Sequence, residues 1–397
     1  MNGIQIRQPK TAAAGIGCLN LKSGLYFHIP FCRSRCSYCH FVSLPFDSEV
    51  ATRYANAMLR ELEHYAGTGS KIGAVDSIYF GGGTPSILEP NKILEILRLC
   101  RDGFRVTDDC EISIEANPGT ISKENVQIYR GGGINRVSIG AQSFSEEELS
   151  AAGRIHSRGM IIDALSQLKK NGFDNINLDL MLGLPGQTRQ SWKNNLDRVV
   201  ALGIPHVSVY MLDLDEPCPM RTRVEEGVVN LPEEDLISDL YLETVEFFAA
   251  QEYQQYEISN FARPGYASRH NLKYWKRNPV YGFGLGSHSF DGMTRWANTT
   301  QMDLFLAAAE NGQSPRAWQE PIDADRALQE TLFLGLRMAE GVDWDDIRRR
   351  FGAQKASKYE AALEEWLHKG LAEKVGAKVR LLPSGMLISN EIFQQFV

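Results

Sequence analysis

His28-Ile29-Pro30-Phe31-Cys32-Arg33-Ser34-Arg35-Cys36-Ser37-Tyr38-Cys39 is the stretch on which the reading of this chain turns. It sets three cysteines in a Cys-x3-Cys-x2-Cys spacing, with no fourth cysteine nearby. Three thiolates on one short loop suit a [4Fe–4S] cluster with one iron free of protein ligands, because such clusters take soft thiolates and usually four of them. The vacant position can take a substrate, as the open position on a catalytic zinc does. A disulfide framework fits poorly, since seven cysteines in 397 residues is a sparse and odd number. Structural zinc would want a fourth ligand. His40 adjoins Cys39 and is awkward in that role, and there is no second Cys-x2-Cys knuckle. Cys18, Cys100, Cys110 and Cys218 are isolated and read as buried or incidental thiols.

The length of 397 residues suggests two or three domains. A hydrophobic content of 43% with 23% charged residues is that of a globular protein. The net charge of −7 gives no support to nucleic acid or an anionic membrane surface as a partner. No apolar run approaches the length of a membrane span. The first 23 residues hold Arg7, Lys10 and Lys22 and no acid, but no apolar segment follows, so a secretory signal is not expected. An oxygen-sensitive cluster and unpaired thiols point to a reducing cytoplasm.

Outward from the cysteines, short β-rich runs alternate with longer amphipathic ones. The expected strands are 25–29, 77–80, 111–115, 136–139, 175–181 and 206–211. Helical spacing marks 48–65, 87–101, 158–171 and 188–202. The alternation predicts a parallel α/β sheet with right-handed crossovers. Six units are too few for a closed eightfold barrel, so an open, partial (β/α)6 barrel is expected, spanning 24–215 after an extension over 1–23. Its chemistry should sit at the carboxyl ends of the strands, where the cysteine loop already lies. A connecting segment, 216–315, includes a helix at 236–250 and a stretch rich in Gly, aromatics and His. The last unit, 316–397, reads as helices at 323–338, 342–351 and 355–367, a strand at 378–382, a Pro383-Ser384-Gly385 turn and a final helical run. That order suggests a winged-helix-like lobe. Its Ala361-Ala362-Leu363-Glu364-Glu365-Trp366 run is acidic, which argues for packing or a partner rather than DNA.

Gly81-Gly82-Gly83-Thr84-Pro85-Ser86 ends the second strand. Three glycines let a backbone approach a ligand closely. The run is neither a Walker loop nor a Gly-x-Gly-x-x-Gly helix start, and alone it would mean little. Its place beside the cysteine loop gives it weight. Later strand ends carry Glu115, Gln142 and Asp179, with Arg154 in a following loop. Singly these read as capped loops or solvated charges. Together they offer acceptors for a ribose or adenine edge and a cation for a carboxylate.

Cys-x3-Cys-x2-Cys with an aromatic, Tyr38, before the last cysteine resembles the signature of the radical S-adenosylmethionine (SAM) superfamily. The resemblance implies a partial barrel, with Cys32, Cys36 and Cys39 on the cluster and SAM chelating the open iron. A reduced cluster would cleave SAM to a 5′-deoxyadenosyl radical, while the protein binds, orients and excludes water. The runs Leu25–Cys32, Gly81–Ser86, Gly140-Ala141-Gln142-Ser143-Phe144 and Gly153-Arg154-Ile155-His156 resemble the oxygen-independent coproporphyrinogen III oxidase group. By that resemblance Tyr26, Gly82, Gly83, Thr84, Glu115, Gln142, Arg154 and Asp179 occupy SAM-binding positions, the glycine turn taking the methionyl amine.

Two features bear on the branch. The oxidases resemble Cys-x3-Cys-x2-Cys-x-Cys, whereas the fourth place here is Phe41. His270-Asn271-Leu272-Lys273-Tyr274-Trp275 is similar to the His-Asn-x-x-Tyr-Trp motif of the HemW haem chaperones, and Gly284-Leu285-Gly286-Ser287-His288-Ser289 follows as in that group. The resemblance implies haem as cargo, an acceptor haem protein such as a membrane-bound respiratory cytochrome, and a homodimer. His270, Tyr274 and Trp275 are the candidate haem contacts, since imidazole can ligate iron and aromatics can stack on a macrocycle. They could equally be core residues. His288 is a candidate for lining the site, and His28 and His156 for supporting it. Two departures are His40, where the chaperones more often carry an acid, and Cys218, a secondary haem-ligand candidate. The alternative is an enzyme, either a coproporphyrinogen oxidase or a radical methyltransferase.

Overall fold

The computed structural model describes residues 21–67 and 72–396. Arg7, Lys10 and Cys18 lie outside the described residues. Six strands form the centre of the molecule: β1 (Ser23–Ile29), β2 (Val75–Gly82), β3 (Val106–Ala116), β4 (Arg136–Gln142), β5 (Asn175–Leu182) and β6 (His206–Met211). They pair in that order and all are parallel. Helices connect them, among them α1 (Ser48–Gly67), α2 (Pro90–Gly103), α3 (Lys123–Gly131), α4 (Glu146–Ala151), α5 (Arg158–Lys170) and α6 (Arg189–Ala201). The expected partial α/β barrel is therefore the fold. The helix α3 was not anticipated from periodicity; Ser122 caps it by accepting from the Asn125 amide at 3.2 Å.

Strict alternation along each strand builds the two faces. Leu25, Phe27 and Ile29, then Ile78 and Phe80, Ile112 and Ile114, Val137 and Ile139, Ile176, Leu178 and Leu180, and Val207 and Val209 are all buried and belong to one core. That core includes Tyr54, Met58 and Leu62 of α1 and Ile93, Ile96 and Leu97 of α2. The intervening residues form the opposite face and are polar: Tyr26, Ser77, Tyr79, Glu111, Ser113, Glu115, Ser138, Asn177, Asp179, His206 and Ser208. Apolar packing thus holds the helices outside, and the barrel interior is polar.

The sheet is wider than six strands. Among the described residues it has twelve, because the segment after β6 adds to both edges. At one edge Asn260–Ala262 pairs antiparallel with β6 and carries Gln254–Glu257. At the other, Val280–Phe283 pairs parallel with β1, so a seventh parallel strand flanks the barrel. His288–Phe290, Thr294–Asn298 and Arg316–Pro321 follow as an antiparallel extension. The sequence shows these strands poorly because they are short and interrupted by glycines at positive φ, Gly284, Gly286 and Gly292. The Gly284–Ser289 run is a structural clasp. A Cβ on Gly284 would lie 2.4 Å from the Tyr54 hydroxyl and 2.8 Å from the His28 carbonyl. The Tyr54 hydroxyl accepts from the Leu285 amide and donates to that same carbonyl, at 2.8 and 2.7 Å.

Beyond Pro321 the chain forms helices and a three-stranded antiparallel sheet of Val342–Asp343, Ala372–Val375 and Lys378–Leu381. Pro383-Ser384-Gly385 is not a turn but opens the helix Pro383–Leu387, with Pro at its first position, where a missing N–H costs nothing. The expected helix at 355–367 is divided by a 3-10 turn at Ser357–Tyr359. The lobe is tied to the sheet through Glu257, fully buried, which accepts from Arg337 at 2.8 Å. Glu330 binds Arg277 and Arg295 at 2.9 Å each.

Glu61 on α1 joins the first helix to the clasp, accepting from the Gly284 amide at 2.8 Å and from Asn298 at 2.6 Å. Burial pushes its carboxyl up to about 8, against the pull of those two donors. The unfolded chain releases this proton near 4.5 and the folded chain holds it to about 8, so this group makes stability fall as pH rises across that window. Glu61→Gln should remove up to about 1.4 kcal/mol per pH unit from the pH slope of unfolding free energy. Denaturant titration at several pH values measures it; an unchanged slope would exclude Glu61 as a source.

Candidate functional site

The site stands at the carboxyl ends of β1 to β6. β1 ends at Ile29, and the cysteine loop runs from Pro30 to a return at Leu44, whose amide donates to the Pro30 carbonyl at 2.6 Å. Arg35 grips the Cys39 carbonyl through Nε and Nη2, at 3.2 and 3.0 Å. The Cys39 amide donates to the Cys36 carbonyl at 3.2 Å. Two other segments hold the loop. The Ser37 amide donates to the Ala152 carbonyl at 3.2 Å, and the Ser37 carbonyl accepts from the Met220 amide at 2.8 Å. Cys218, buried beside this last contact, is the N-terminal flank of the helix Pro219–Glu225 and is part of the loop's support.

Cys32, Cys36 and Cys39 are free thiols, each partly accessible. Among the described residues no three His, Cys, Asp or Glu side chains converge on a single ion position. A cluster places each thiolate on a different iron, so it does not need that convergence. Thr84 donates to Cys32 Sγ at 3.5 Å, and Arg154 donates through Nη1 to Cys36 Sγ at 3.1 Å. Arg154 also holds the Gly140 carbonyl through Nη2 at 2.6 Å. The sequence suggests that its cation faces a ligand carboxylate; here it donates to the Cys36 thiol.

The glycine turn meets this loop backbone to backbone. A Cβ on Gly83 would lie 2.8 Å from the Phe31 carbonyl and 2.9 Å from Cys32 Sγ. Gly82 has φ of 118°, and a Cβ there would press on His28 at 2.7 Å. His28 itself links Tyr26 to the loop: its Nδ1 lies 3.1 Å from the Tyr26 hydroxyl and its Nε2 is 3.0 Å from the Val42 carbonyl.

Between the loop and the strand ends lies a cavity of about 360 Å³, within the range of small-molecule sites. Cys32, Cys36, Cys39, Gly82, Gly83 and Thr84 line it. Glu115, Gln142, Arg154 and Asp179 complete the lining, in contact with that first group through Arg154–Cys36 and Glu115–Gly82. Seven of the eight expected SAM residues therefore line one cavity; Tyr26 does not line it and is joined to the cysteine loop through His28. Gln142 has φ of 66°, rare for a side-chain-bearing residue and a conformation found where surroundings impose it. Its Oε1 is buried without a partner, as is Arg154 Nε. Orphaned polar atoms in a lined cavity fit an adenosyl ligand, and three soft thiols fit a cluster.

The carboxylates are held from the barrel interior. Glu115 accepts from the Tyr79 hydroxyl at 2.8 Å and from the Gly82 amide at 3.0 Å. Burial pushes it up to about 7; the Asp179 charge adds to this, and the two donors oppose it. Burial raises Asp179 too, against donors on Asn177 and Ser138 at 2.7 and 3.1 Å. Tyr79, Asn177 and Ser138 were not singled out from the sequence. The signal was there, because each lies on the polar face at period two from a residue that was. His156 supports the site from outside, its Nε2 at 3.1 Å from the Ala141 carbonyl. His40 and Phe41 lie at the cavity mouth, with ring centroids 5.4 Å apart.

Two expected groups lie elsewhere. His288 is in an antiparallel strand against Trp318 and does not line the cavity. His270 and Tyr274 lie on the helix Arg269–Trp275, at the amino-terminal floor of the barrel. His270 is buried, with Nδ1 3.0 Å from Ser77 Oγ and Nε2 3.2 Å from the Tyr274 hydroxyl. To meet an iron, one of these hydrogen bonds would have to break. Tyr274 is 39% exposed, and Trp275 lies under Arg337 at 4.3 Å.

The comparisons with known proteins agree with this architecture. A family model described as the radical SAM superfamily matches residues 26–199, and one described as the HemN C-terminal domain matches 322–388. A protein of Lactococcus lactis named heme chaperone HemW is 30% identical over 379 residues, covering 96% of this chain and 98% of that protein. The Bacillus subtilis protein of the same name is 32% identical over 376 residues, 94% and 98% of the two chains. A solved structure titled as coproporphyrinogen III oxidase (HemN) from Escherichia coli, a radical SAM enzyme, superposes with a TM-score of 0.81 at 24% identity, covering 95% of this chain and 90% of that one. That likeness establishes the fold. With end-to-end relatives at this identity and the cysteine loop set against its glycine turn, the chain belongs to the HemN-like family of the radical SAM superfamily, in its HemW branch.

Proposed function

We propose that this protein is a haem chaperone that binds haem and passes it to an acceptor haem protein. The observation that carries the reading is its end-to-end similarity to proteins named heme chaperone HemW. Phe41, 61% exposed at the cavity mouth where an oxidase would resemble a fourth cysteine, supports it from the site. We place the activity in the cytoplasm, with a membrane-bound respiratory haem protein as acceptor and a homodimer as the working form. No helix among the described residues is long and apolar enough to cross a membrane.

In this reading Cys32, Cys36 and Cys39 hold a [4Fe–4S] cluster, with the Arg154 cation stabilising thiolate charge at Cys36. Gly82 and Gly83 present backbone to the methionyl end of SAM. Glu115 and Asp179 would supply acceptors for its polar groups, and Gln142 would offer its unpartnered Oε1 to it. When bound, the cluster and SAM supply one-electron chemistry at the sulfonium. The protein's own task is to orient that pair and keep water out. Of the three haem candidates, Tyr274 is the most exposed and would make the contact, whereas His270 is buried with both ring nitrogens hydrogen-bonded and does not reach haem in this reading.

Three outcomes are expected. Anaerobically reconstituted protein should bind haemin and transfer it to an apo-cytochrome, read by the visible spectrum. Given SAM, reductant and coproporphyrinogen III, it should release no carbon dioxide; formation of protoporphyrinogen would replace the chaperone with the oxidase. Gly82→Ala should lower SAM affinity at least about tenfold in equilibrium dialysis, because both φ and the 2.7 Å approach to His28 forbid a Cβ. Wild-type affinity in that variant would remove the glycine turn from the SAM site.

A further inference from the structure

We infer that His270 is a positioning residue of the SAM site, acting from the barrel floor through a stack of rings rather than by ligating haem. The inference rests on the reading of the cavity as a SAM site.

The polar interior contains a triangle of facing rings, His270, Tyr79 and Tyr26. The His270 ring lies parallel to that of Tyr79, with centroids 5.1 Å apart and planes 26° apart. Tyr26 stacks on both, 6.2 Å from Tyr79 and 6.3 Å from His270. Below, the Tyr274 ring meets His270 edge-on at 5.3 Å. From this base two branches rise to the cavity. In one, the Tyr79 hydroxyl holds Glu115 at 2.8 Å, and Glu115 holds the Gly82 amide at 3.0 Å. In the other, Tyr26 meets His28 at 3.1 Å, and His28 holds the Val42 carbonyl of the cysteine loop at 3.0 Å. Both branches end at the methionyl side of the cavity, where the turn meets the loop.

The floor is built to fix that ring. Glu111, buried on β3, accepts from the Arg269 and His270 amides at 3.1 Å each. Lys273, also buried, forms an ion pair with Asp76 at 2.5 Å. Gly24 leaves room for the helix, since a Cβ there would lie 2.9 Å from Ser77 Oγ and 3.1 Å from His270 Cε1. Ser77 and Tyr274 occupy both imidazole nitrogens. Burial, with the Lys273 charge beside it, drives the imidazole down to about 3, so it is a neutral flat ring. A neutral ring locked at both nitrogens suits stacking and positioning.

The test compares wild type, His270→Ala, His270→Phe and Tyr79→Phe as reconstituted full-length proteins. SAM, 5′-deoxyadenosine and haemin binding are measured on each, with iron content and thermal midpoint as controls. His270→Ala should weaken SAM about tenfold while leaving 5′-deoxyadenosine and haemin binding unchanged, because only the methionyl side is released. His270→Phe keeps a flat ring in the triangle and should recover SAM affinity to within about threefold of wild type. Tyr79→Phe keeps the stack but frees Glu115, and should repeat the selective SAM loss even if His270→Ala fails to fold. Unchanged SAM affinity, an equal loss of SAM and 5′-deoxyadenosine, or loss of haemin binding in both His270 variants would each overturn the inference. Wild-type protein that binds no SAM would instead overturn the reading on which it rests.

Discussion

A parallel sheet curved around a polar interior must find a partner inside for every inward-facing donor and acceptor. That constraint organises this protein. Leu25, Phe27, Ile78, Phe80, Ile112 and Ile114 hold the helices outside by burial alone. Their neighbours Tyr26, Ser77, Tyr79, Glu111 and Glu115 face inward and are bound to one another or to the helix that closes the floor. An apolar interior would be a packed plug. A satisfied polar one can be left open at one end, and it is open where the strands terminate.

Under the proposed reading two chemical requirements meet at the cavity. A cluster on three thiols would need a loop short enough to gather Cys32, Cys36 and Cys39. A ligand completing it would need backbone approach beside those thiols. The Gly81–Gly83 turn supplies the second by omitting side chains: Cβ atoms on Gly82 and Gly83 would strike His28 and Cys32. Because the turn and the loop end adjacent paired strands, hydrogen-bonded register from Tyr26↔Tyr79 to Ile29↔Gly82 fixes their separation. The site therefore inherits its precision from the sheet.

The accessory segment after β6 serves the same end. It adds strands at both edges, clasps α1 and the end of β1 through Gly284 and Leu285, and inserts the helix Arg269–Trp275 beneath the barrel. A motif whose residues could serve as haem contacts or as core thus lies mainly in the interior. The terminal lobe attaches through Glu257 and Glu330, two carboxylates buried against arginines, where loss of one partner would leave a costly unpaired charge.

Local patterns sufficed for the six parallel strands, since alternation and turn residues are written within each segment. They also picked out Cys32, Cys36, Cys39 and the glycine turn, which the structure brings to one cavity. Glu115, Gln142 and Asp179 were legible because polar residues at strand ends break the expectation of packing, and Arg154 because it stands in the loop that follows them. What the chain could not disclose locally was pairing between distant segments. That Val280–Phe283 lies beside β1, that His270 stacks under Tyr79, and that Arg154 meets Cys36 depend on approach across long separations in sequence. Short strands broken by positive-φ glycines carry too little periodicity to be seen alone. A histidine's role is set by what occupies its two nitrogens, which only the folded interior decides.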